Sequence, residues 1–124
     1  MSVTAAQGFV AAGVTAGLKT SGRPDVALVV NRGRRKSAAA VFTSNRAKAH
    51  PVLWSQQVVG DGIAEAVVLN SGGANCFTGP FGFQTTHATA KTIMKRNGAY
   101  QSADIWRIAV LTFSTVSQAR SGER

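Results

Sequence analysis

The 124-residue sequence predicts an α+β fold, with a mixed or antiparallel sheet and packed helices. Three observations favour this class. Short apolar runs typical of strands dominate the first two thirds of the chain, a strong amphipathic helical pattern follows them, and neither an internal repeat nor a low-complexity linker interrupts the sequence. An α+β domain is expected to have this order, in which strands come first and a helix that packs on their sheet follows.

The N-terminal part is predicted to contribute three strands. Residues 8–19 are rich in Gly and Ala and indicate a short strand and a turn, whereas residues 25–31 are a stronger candidate because they contain DVALVV. Asn31-Arg32-Gly33 supplies turn residues, and residues 37–43 (SAAAVFT) return to a strand-like composition. We therefore expect residues 25–31 and 37–43 to pair as an antiparallel hairpin.

Residues 51–59 are ambiguous in the sequence. Val52, Leu53 and Trp54 in succession favour a strand, while Trp54, Val58 and Val59 at helical spacing favour a short helix. Gly60-Asp61-Gly62 is expected to end either element.

The central stretch, residues 64–98, reads as strand, loop and helix. Residues 66–69 form a short apolar run that suits a strand covered on both faces, and Asn70 to Gly73 end it. A helical pattern then begins near Pro80 and closes at Asn97-Gly98. Its apolar-face positions are Phe83, Thr86, His87, Ala90, Ile93 and Met94.

The loop of this stretch is the candidate binding site. Glycines let backbone N–H groups approach a ligand, and the following helix N-terminus favours an anion or a developing oxyanion. Ordinary turn chemistry is the alternative explanation for such small polar residues. The loop is not a P-loop, since no Gly-Lys-Ser/Thr follows it. The predicted substrate-binding residues are Asn70, Ser71, Gly72, Gly73, Asn75 and Thr78.

The string VVLNSGGANCFTGPFGFQTTHATA resembles the Asn-Ser-Gly-x-Ala-Asn-x-x-Thr-Gly signature of the ornithine acetyltransferase (glutamate N-acetyltransferase) family of arginine biosynthesis. The segments GFVAAGVTAGLK, DVALVV and AAAVFTSNRAKAHPVLWSQQV follow the order of that family at similar spacing. The likeness covers roughly residues 8–90 and implies part of the DmpA/ArgJ-like fold. It also implies an acyltransferase that moves acetyl from N-acetylornithine to glutamate, with acetyl-CoA as a donor in some relatives.

Family members are about three times longer, and they cleave themselves at a Met-Thr junction to free a nucleophilic threonine. In this sequence Met1 and Met94 precede Ser2 and Lys95, so no such junction occurs. The resemblance therefore implies a truncated, α-chain-like N-terminal portion that is inactive alone and associates with a C-terminal β-chain or with itself. We expect one incomplete domain over residues 1–116 and a disordered tail over residues 117–124.

The family builds its oxyanion site from a Ser-Thr-Gly stretch after an apolar strand. Residues 108–115 (IAVLTFST) are predicted to be that strand, which would give Thr115 and the Val116 N–H a catalytic role in oxyanion stabilisation. Valine stands at the position of the family's glycine. Since valine resists positive φ and crowds its surroundings, the oxyanion hole is expected to be distorted.

Metal, disulfide and membrane chemistry find little support in the sequence. Cys76 is the single cysteine, and together with His50 and His87 it makes no zinc-ligand set. We interpret Cys76 as structural and His87 as a packed histidine rather than a base. The expectation is a cytoplasmic protein without a cofactor or membrane span.

The net charge of +9 is high for an enzyme of small molecules. A small basic nucleic-acid-binding protein is therefore the alternative function, with the basic end of the predicted helix and residues 32–36 as its contact surface. A solvated turn is the simpler interpretation of those residues, because no aromatic side chain lies among them. Thr43, Ser44, Asn45, Arg46 and Lys48 form a second polar segment that suits either an anion-binding rim or a plain connection.

Overall fold

The computed structural model describes residues 2–73, 75–96 and 108–112, which form four strands and two α-helices. Two short 3-10 turns, Val3–Ala5 and Val59–Asp61, accompany them. The strands are β1 Phe9–Val14, β2 Val26–Asn31, β3 Ala66–Asn70 and β4 Ile108–Thr112, and the helices are α1 His50–Val58 and α2 Gly79–Arg96.

The four strands make one mixed sheet in the order β1-β2-β3-β4. β1 pairs antiparallel with β2, β2 pairs antiparallel with β3, and β4 runs parallel to β3. The parallel pair requires a crossover, and α2 lies within the connection from β3 to β4. The predicted α+β class with a mixed sheet and packed helices is confirmed.

Most predicted elements lie where the patterns placed them. β2 and β3 occupy the two apolar runs, α2 begins next to Pro80, and the ambiguous residues 51–59 belong largely to the helix α1. Pro51 at the start of α1 explains this outcome in part, because proline fixes a helical φ at the first turn. The predicted strand at residues 108–115 is described as far as Thr112. The predicted helix stop at Gly98 and the tail at residues 117–124 lie outside the described residues.

The predicted hairpin between residues 25–31 and 37–43 is wrong. Both edges of β2 are already paired, one with β1 and the other with β3, so no edge remains for residues 37–43. That segment contributes only an isolated antiparallel bridge between Ser37 and Ile63, and Val41 is fully exposed. Residues 37–43 have a strand-like composition, but residues 9–14 of the Gly-rich N-terminal segment pair with β2 instead.

Helices α1 and α2 cover one face of the sheet and form the core with it. Period-two alternation sends Ala66 and Val68 of β3 to this face, where both are buried. The buried apolar cluster contains Trp54, Val58, Ala66, Val68, Ala90, Ile108 and Val110. β2 adds Val26, Leu28 and Val30 to its margin.

Two side chains of α1 seal the open edge of β4. The Trp54 Nε1–H donates to the Ile108 carbonyl at 2.9 Å, and the Ser55 hydroxyl donates to the Val110 carbonyl at 2.8 Å. The Val110 N–H in turn donates to Ser55 Oγ at 3.1 Å. An exposed strand edge is a template for unwanted pairing, and these three bonds occupy main-chain groups of Ile108 and Val110 that such pairing would use.

Ser55→Ala is expected to lower the free energy of unfolding by about 1–3 kcal/mol, because it leaves the buried N–H and C=O of Val110 without their partner. Urea unfolding followed by circular dichroism measures the change. Ser44→Ala, at an exposed position, is the control and should stay within about 0.5 kcal/mol. Equal stability of the two variants would show that α1 does not seal β4 through this hydroxyl.

The other margin of the sheet is less covered. All six residues of β1 are exposed, including the apolar Phe9, Val10 and Val14. Further along the chain Phe77 and Phe81 are 86% and 76% exposed.

Neither described helix, α1 or α2, is long and apolar enough to cross a membrane.

Candidate functional site

A cavity of about 310 Å³ opens at one end of the sheet. The strand register brings the end of β1, the start of β2 and the end of β3 together there, since Val14 pairs with Val26 and Val26 with Asn70. This volume is at the lower end of the ~300–1,000 Å³ typical of small-molecule sites. The cavity is lined by Leu18, Asn70, Gly73, Asn75, Thr78, Phe81, Gly82, Thr85, Thr86, Thr89 and Val110.

Four of the six residues predicted to bind substrate line this cavity, namely Asn70, Gly73, Asn75 and Thr78. The other two, Ser71 and Gly72, do not line it. The Ser71 N–H donates to the Asp25 carbonyl at 2.8 Å, and Gly72 packs against Leu18. The predicted catalytic positions Thr115 and Val116 lie outside the described residues, so their role stays a prediction.

Asn75 organises the loop between β3 and α2. Its Nδ2 donates to the Gly82 carbonyl at 2.8 Å and to Thr86 Oγ1 at 3.0 Å, while its Oδ1 accepts from the Thr78 hydroxyl. Its carbonyl accepts the His50 N–H at 3.1 Å, which joins the loop to the start of α1. The Asn75 side-chain amide therefore holds the cavity wall together through bonds within the loop and to α2. This is largely the role that turn chemistry predicts for an asparagine.

Gly82 allows the loop to lie against α2. A Cβ built at this residue would clash with Thr78 Oγ1 and Asn75 Oδ1 and would lie 2.5 Å from His50 Cδ2. A glycine inside a helix is otherwise unfavourable by about 1 kcal/mol relative to alanine. A glycine within a helical pattern therefore indicates that another segment packs closely against the helix. Gly82 was nevertheless not among the predicted site residues.

The other wall of the cavity is a row of threonines on α2. Thr85, Thr86 and Thr89 donate their hydroxyl hydrogens to the carbonyls four residues earlier, at 2.9–3.1 Å. Each hydroxyl oxygen keeps lone pairs that can accept a further hydrogen bond. Thr85 and Thr89 were not predicted as wall residues, although several threonines within one helical turn are an uncommon composition for a helix.

Asn70 supplies the complementary donor. Its Oδ1 accepts the Gly72 N–H at 2.8 Å in an Asx turn, and its Nδ2 makes no hydrogen bond to any residue that the structure describes. Among the described residues, the cavity lining therefore offers one amide N–H₂ donor without a partner and several threonine hydroxyl acceptors, including Thr85 and Thr89, but no charged side chain. Such a set matches a neutral secondary amide, which needs one acceptor and one donor.

The two histidines pack against aromatic rings. The His87 ring packs edge-on against Trp54 with 5.3 Å between ring centroids, and the His50 ring packs against Phe83 at 6.4 Å. Cys76 is half-buried with a free thiol. Over the described ranges, no group of three His, Cys, Asp or Glu residues could hold a metal ion.

The two basic segments lie away from the cavity lining. Arg32, Arg34 and Arg35 are exposed in the turn after β2, where the Asn31 side chain donates to the Arg35 carbonyl at 2.9 Å. In residues 43–48, Thr43 and Asn45 accept main-chain N–H bonds from residues two positions later. Neither segment lines the cavity, and the second is a polar connection with local turn chemistry.

Asp25 is an acidic side chain held beside the site, and it was not among the predicted site residues. The residue is 2% exposed, and its carboxylate accepts three main-chain N–H bonds, from Ala16 and Leu18 at 2.6 Å each and from Lys19 at 3.0 Å. These bonds, that from Ala16 first, hold the pKa of Asp25 below its usual value although burial opposes them. The sequence feature that could have pointed to Asp25 is its position as an isolated acidic residue next to a predicted strand in a strongly basic chain.

The pKa of Asp25 predicts an acid-sensitive contribution to stability. The folded-state pKa lies below the unfolded value near 3.8, so the unfolded chain binds the proton more tightly. The contribution is present above that value and is lost as pH falls through the folded pKa. Urea unfolding from about pH 2 to 6 should show wild type more stable than Asp25→Asn at pH 6, with the difference shrinking below about pH 4. A pH-independent difference would contradict this account.

Known proteins match both the sequence and the fold. The ArgJ family model matches residues 10–115. The arginine biosynthesis bifunctional protein ArgJ of Streptomyces coelicolor is 72% identical over 91 residues, which is 73% of this chain and 24% of that protein. The ArgJ of Mycobacterium leprae is 59% identical over 91 residues, again 73% of this chain, and 22% of its own length is covered.

Two solved structures share the fold. Ornithine acetyltransferase from Mycobacterium tuberculosis, complexed with ornithine, superimposes with a TM-score of 0.85 at 48% identity, covering 98% of this chain and 61% of that chain. ArgJ from Bacillus halodurans gives a TM-score of 0.82 at 28% identity, covering 95% and 59%. The chain spans about a quarter of the length of the curated relatives it matches. With the family model matching most of its residues and the ornithine acetyltransferase fold underlying its sheet, helices and loop, the chain belongs to the ArgJ family.

Proposed function

We propose that this chain is the N-terminal, substrate-binding part of an ornithine acetyltransferase-like enzyme that moves acetyl from N-acetylornithine to glutamate in arginine biosynthesis. The observation that carries the proposal is the match to an ornithine acetyltransferase solved with ornithine, at 48% identity over nearly the whole chain. The high identity to curated bifunctional ArgJ proteins supports the same activity.

The chemistry of the cavity fits the acetyl-amide end of such a substrate. Asn70 offers a donor for an acetyl carbonyl, and the Thr85 and Thr89 hydroxyl oxygens can accept the amide N–H. Because no charged side chain of the described residues lines the cavity, the ammonium and carboxylate groups of N-acetylornithine need partners from elsewhere. We propose that these partners and the nucleophilic threonine come from a C-terminal family segment.

Exposed apolar side chains support association with such a segment or with a second copy of the chain. β1 is exposed along its whole length, and Val41, Phe77 and Phe81 are each more than three-quarters exposed. Apolar residues exposed in this number mark surfaces that bind protein in many assemblies. None of the relatives or solved structures named above supports the nucleic-acid alternative, and acetyl-CoA as a second acetyl donor stays a prediction.

Transfer of labelled acetyl from N-acetylornithine to glutamate tests the proposal. We expect no turnover by the purified chain, and turnover when it is co-expressed with a C-terminal ArgJ segment that begins at the nucleophilic threonine. The C-terminal segment alone is the control. A soluble, folded complex without activity would sink the proposed function, and turnover by the chain alone would show that the threonine is not needed from outside.

A further inference from the structure

Asp25 lies where two separate segments of the cavity wall meet. Its carboxylate gathers the N–H groups of residues 16, 18 and 19, which form the loop after β1. Its main-chain carbonyl accepts both the N–H and, at 3.4 Å, the hydroxyl of Ser71, which follows β3. One residue thus fixes two loops that are about 50 positions apart in sequence, and it is itself almost fully buried.

These two loops meet at Leu18 and Gly72. A Cβ built at Gly72 would clash with Leu18 Cβ and lie 3.0 Å from the Leu18 carbonyl carbon, so the two backbones are in direct contact. Leu18 is 46% exposed and lines the cavity, as does the neighbouring Gly73. Leu18 is therefore not anchored by burial, and the bond from its N–H to the Asp25 carboxylate fixes its main chain beside Gly72.

We infer that Asp25 is a positioning residue for the substrate cavity: it holds the loop of residues 15–20 against the turn of residues 70–73, and so places Leu18 as a wall for the bound acyl group. The carboxylate is needed because it accepts only, with enough lone pairs for three N–H donors. An asparagine of the same shape would turn an N–H₂ group toward at least one of those donors. The positioning role stands on geometry alone, and its effect on substrate rests on the proposed function.

Amide hydrogen exchange followed by NMR tests the positioning role without any ligand. In Asp25→Asn, exchange of the Ala16, Leu18 and Lys19 amides should rise about tenfold or more, because bonds to a charged acceptor are lost. Exchange at Val68 in the core should stay unchanged. Unchanged protection at these three amides would show that the carboxylate does not hold the loop. An equal rise at Val68 would show a global loss of stability, and either result would overturn the inference.

Asp61→Asn is the matched control for that experiment. Asp61 is exposed and its Oδ1 accepts one main-chain N–H, from Ile63 at 3.0 Å, so its change should leave the cavity loops untouched. Should Asp25→Asn not fold, Asp25→Glu serves in its place. It keeps the charge but moves the carboxylate by one methylene, and it should give the same local pattern with a smaller rise; no local rise in that variant would equally overturn the inference.

The effect on substrate is measured in the complex with the C-terminal segment. Asp25→Asn should raise the KM for N-acetylornithine about tenfold and change kcat by less than about threefold, since binding is lost and the reacting groups are not. Leu18→Ala should do the same, and the double variant should be no worse than either single one, because both remove one wall. Additive losses would contradict action through Leu18. If the wild-type complex is inactive the proposed function fails, and the exchange result still decides the positioning role.

Discussion

Trp54→Ala is expected to lower the free energy of unfolding by about 3–5 kcal/mol, a large share of the total for a chain of this size. Trp54 is fully buried between α2 and β4, and its ring makes edge-on contacts with Phe83 and His87 at 6.1 and 5.3 Å. Its indole N–H also seals the edge of β4. Removal leaves a cavity at the centre of the core and an unpaired Ile108 carbonyl.

Two variants separate these contributions in urea unfolding. Trp54→Phe keeps an aromatic ring but loses the bond to Ile108, so about 1–3 kcal/mol should be lost. Leu53→Ala, next to Trp54 on α1 but 38% exposed, is the neighbouring control and should cost clearly less than Trp54→Ala. If Trp54→Ala lowered the free energy of unfolding by less than about 1 kcal/mol, Trp54 would not be at the centre of the core.

Gly82→Ala is the second change with a large expected effect, and two terms of opposite sign decide it. Alanine improves the helix by about 1 kcal/mol. Against this, its methyl group must displace the side chains of Thr78 and Asn75, which costs about 1–3 kcal/mol in overpacking and breaks the bonds from Asn75 to Gly82 and Thr86. The net result should be a loss of about 1–3 kcal/mol, with the cavity wall displaced as well.

Gly60→Ala is the control for that change. No atom lies within 4 Å of a Cβ built at Gly60, and its φ is not positive, so alanine there should be neutral or slightly stabilising. Thermal unfolding of both variants, together with NMR shifts of the Thr85 and Thr89 amides, measures stability and wall geometry. Gly82→Ala as stable as wild type with unchanged shifts would show that the loop does not need this close approach.

Local sequence patterns account for much of this fold. β3 and α2 follow from an apolar run and a helical period that each point to a single element, and the loop that was predicted between them lies there. Residues 51–59 could not be assigned from the sequence, because the adjacent Val52, Leu53 and Trp54 favour a strand whereas Val58 and Val59 follow Trp54 at helical spacing. The buried Trp54 and Ser55 contacts with β4 decide for the helix, and those contacts are non-local.

Strand pairing was the part that the sequence did not determine. Residues 37–43 have strand composition, yet residues 9–14, with two alanines and a glycine, are the partner of β2. Which segment pairs depends on the competition for the two edges of β2, and local composition does not report that competition. The same holds for Asp25, whose role depends on contacts with residues 16–19 and 71 together.

For the candidate site, the sequence predicted the loop but not the opposite wall. Small polar residues after β3 pointed to Asn70, Gly73, Asn75 and Thr78, all of which line the cavity. Thr85 and Thr89 could not be predicted from the apolar face of α2, because the cavity lies against the polar threonine face of that helix. The resemblance to the family was carried by the same loop, and the family assignment is confirmed.

Binding of N-acetyl-L-ornithine in this cavity is the central claim, and NMR titration of the ¹⁵N-labelled chain in complex with an unlabelled C-terminal ArgJ segment tests it most directly. We expect saturable shifts that concentrate on the amides of Gly73, Thr85 and Thr89. The affinity obtained from them should fall about tenfold when Asn70, which is proposed to donate a hydrogen bond to the acetyl carbonyl, is replaced by Asp. No saturable shift in a folded complex, or shifts confined to residues 32–36, would contradict the account.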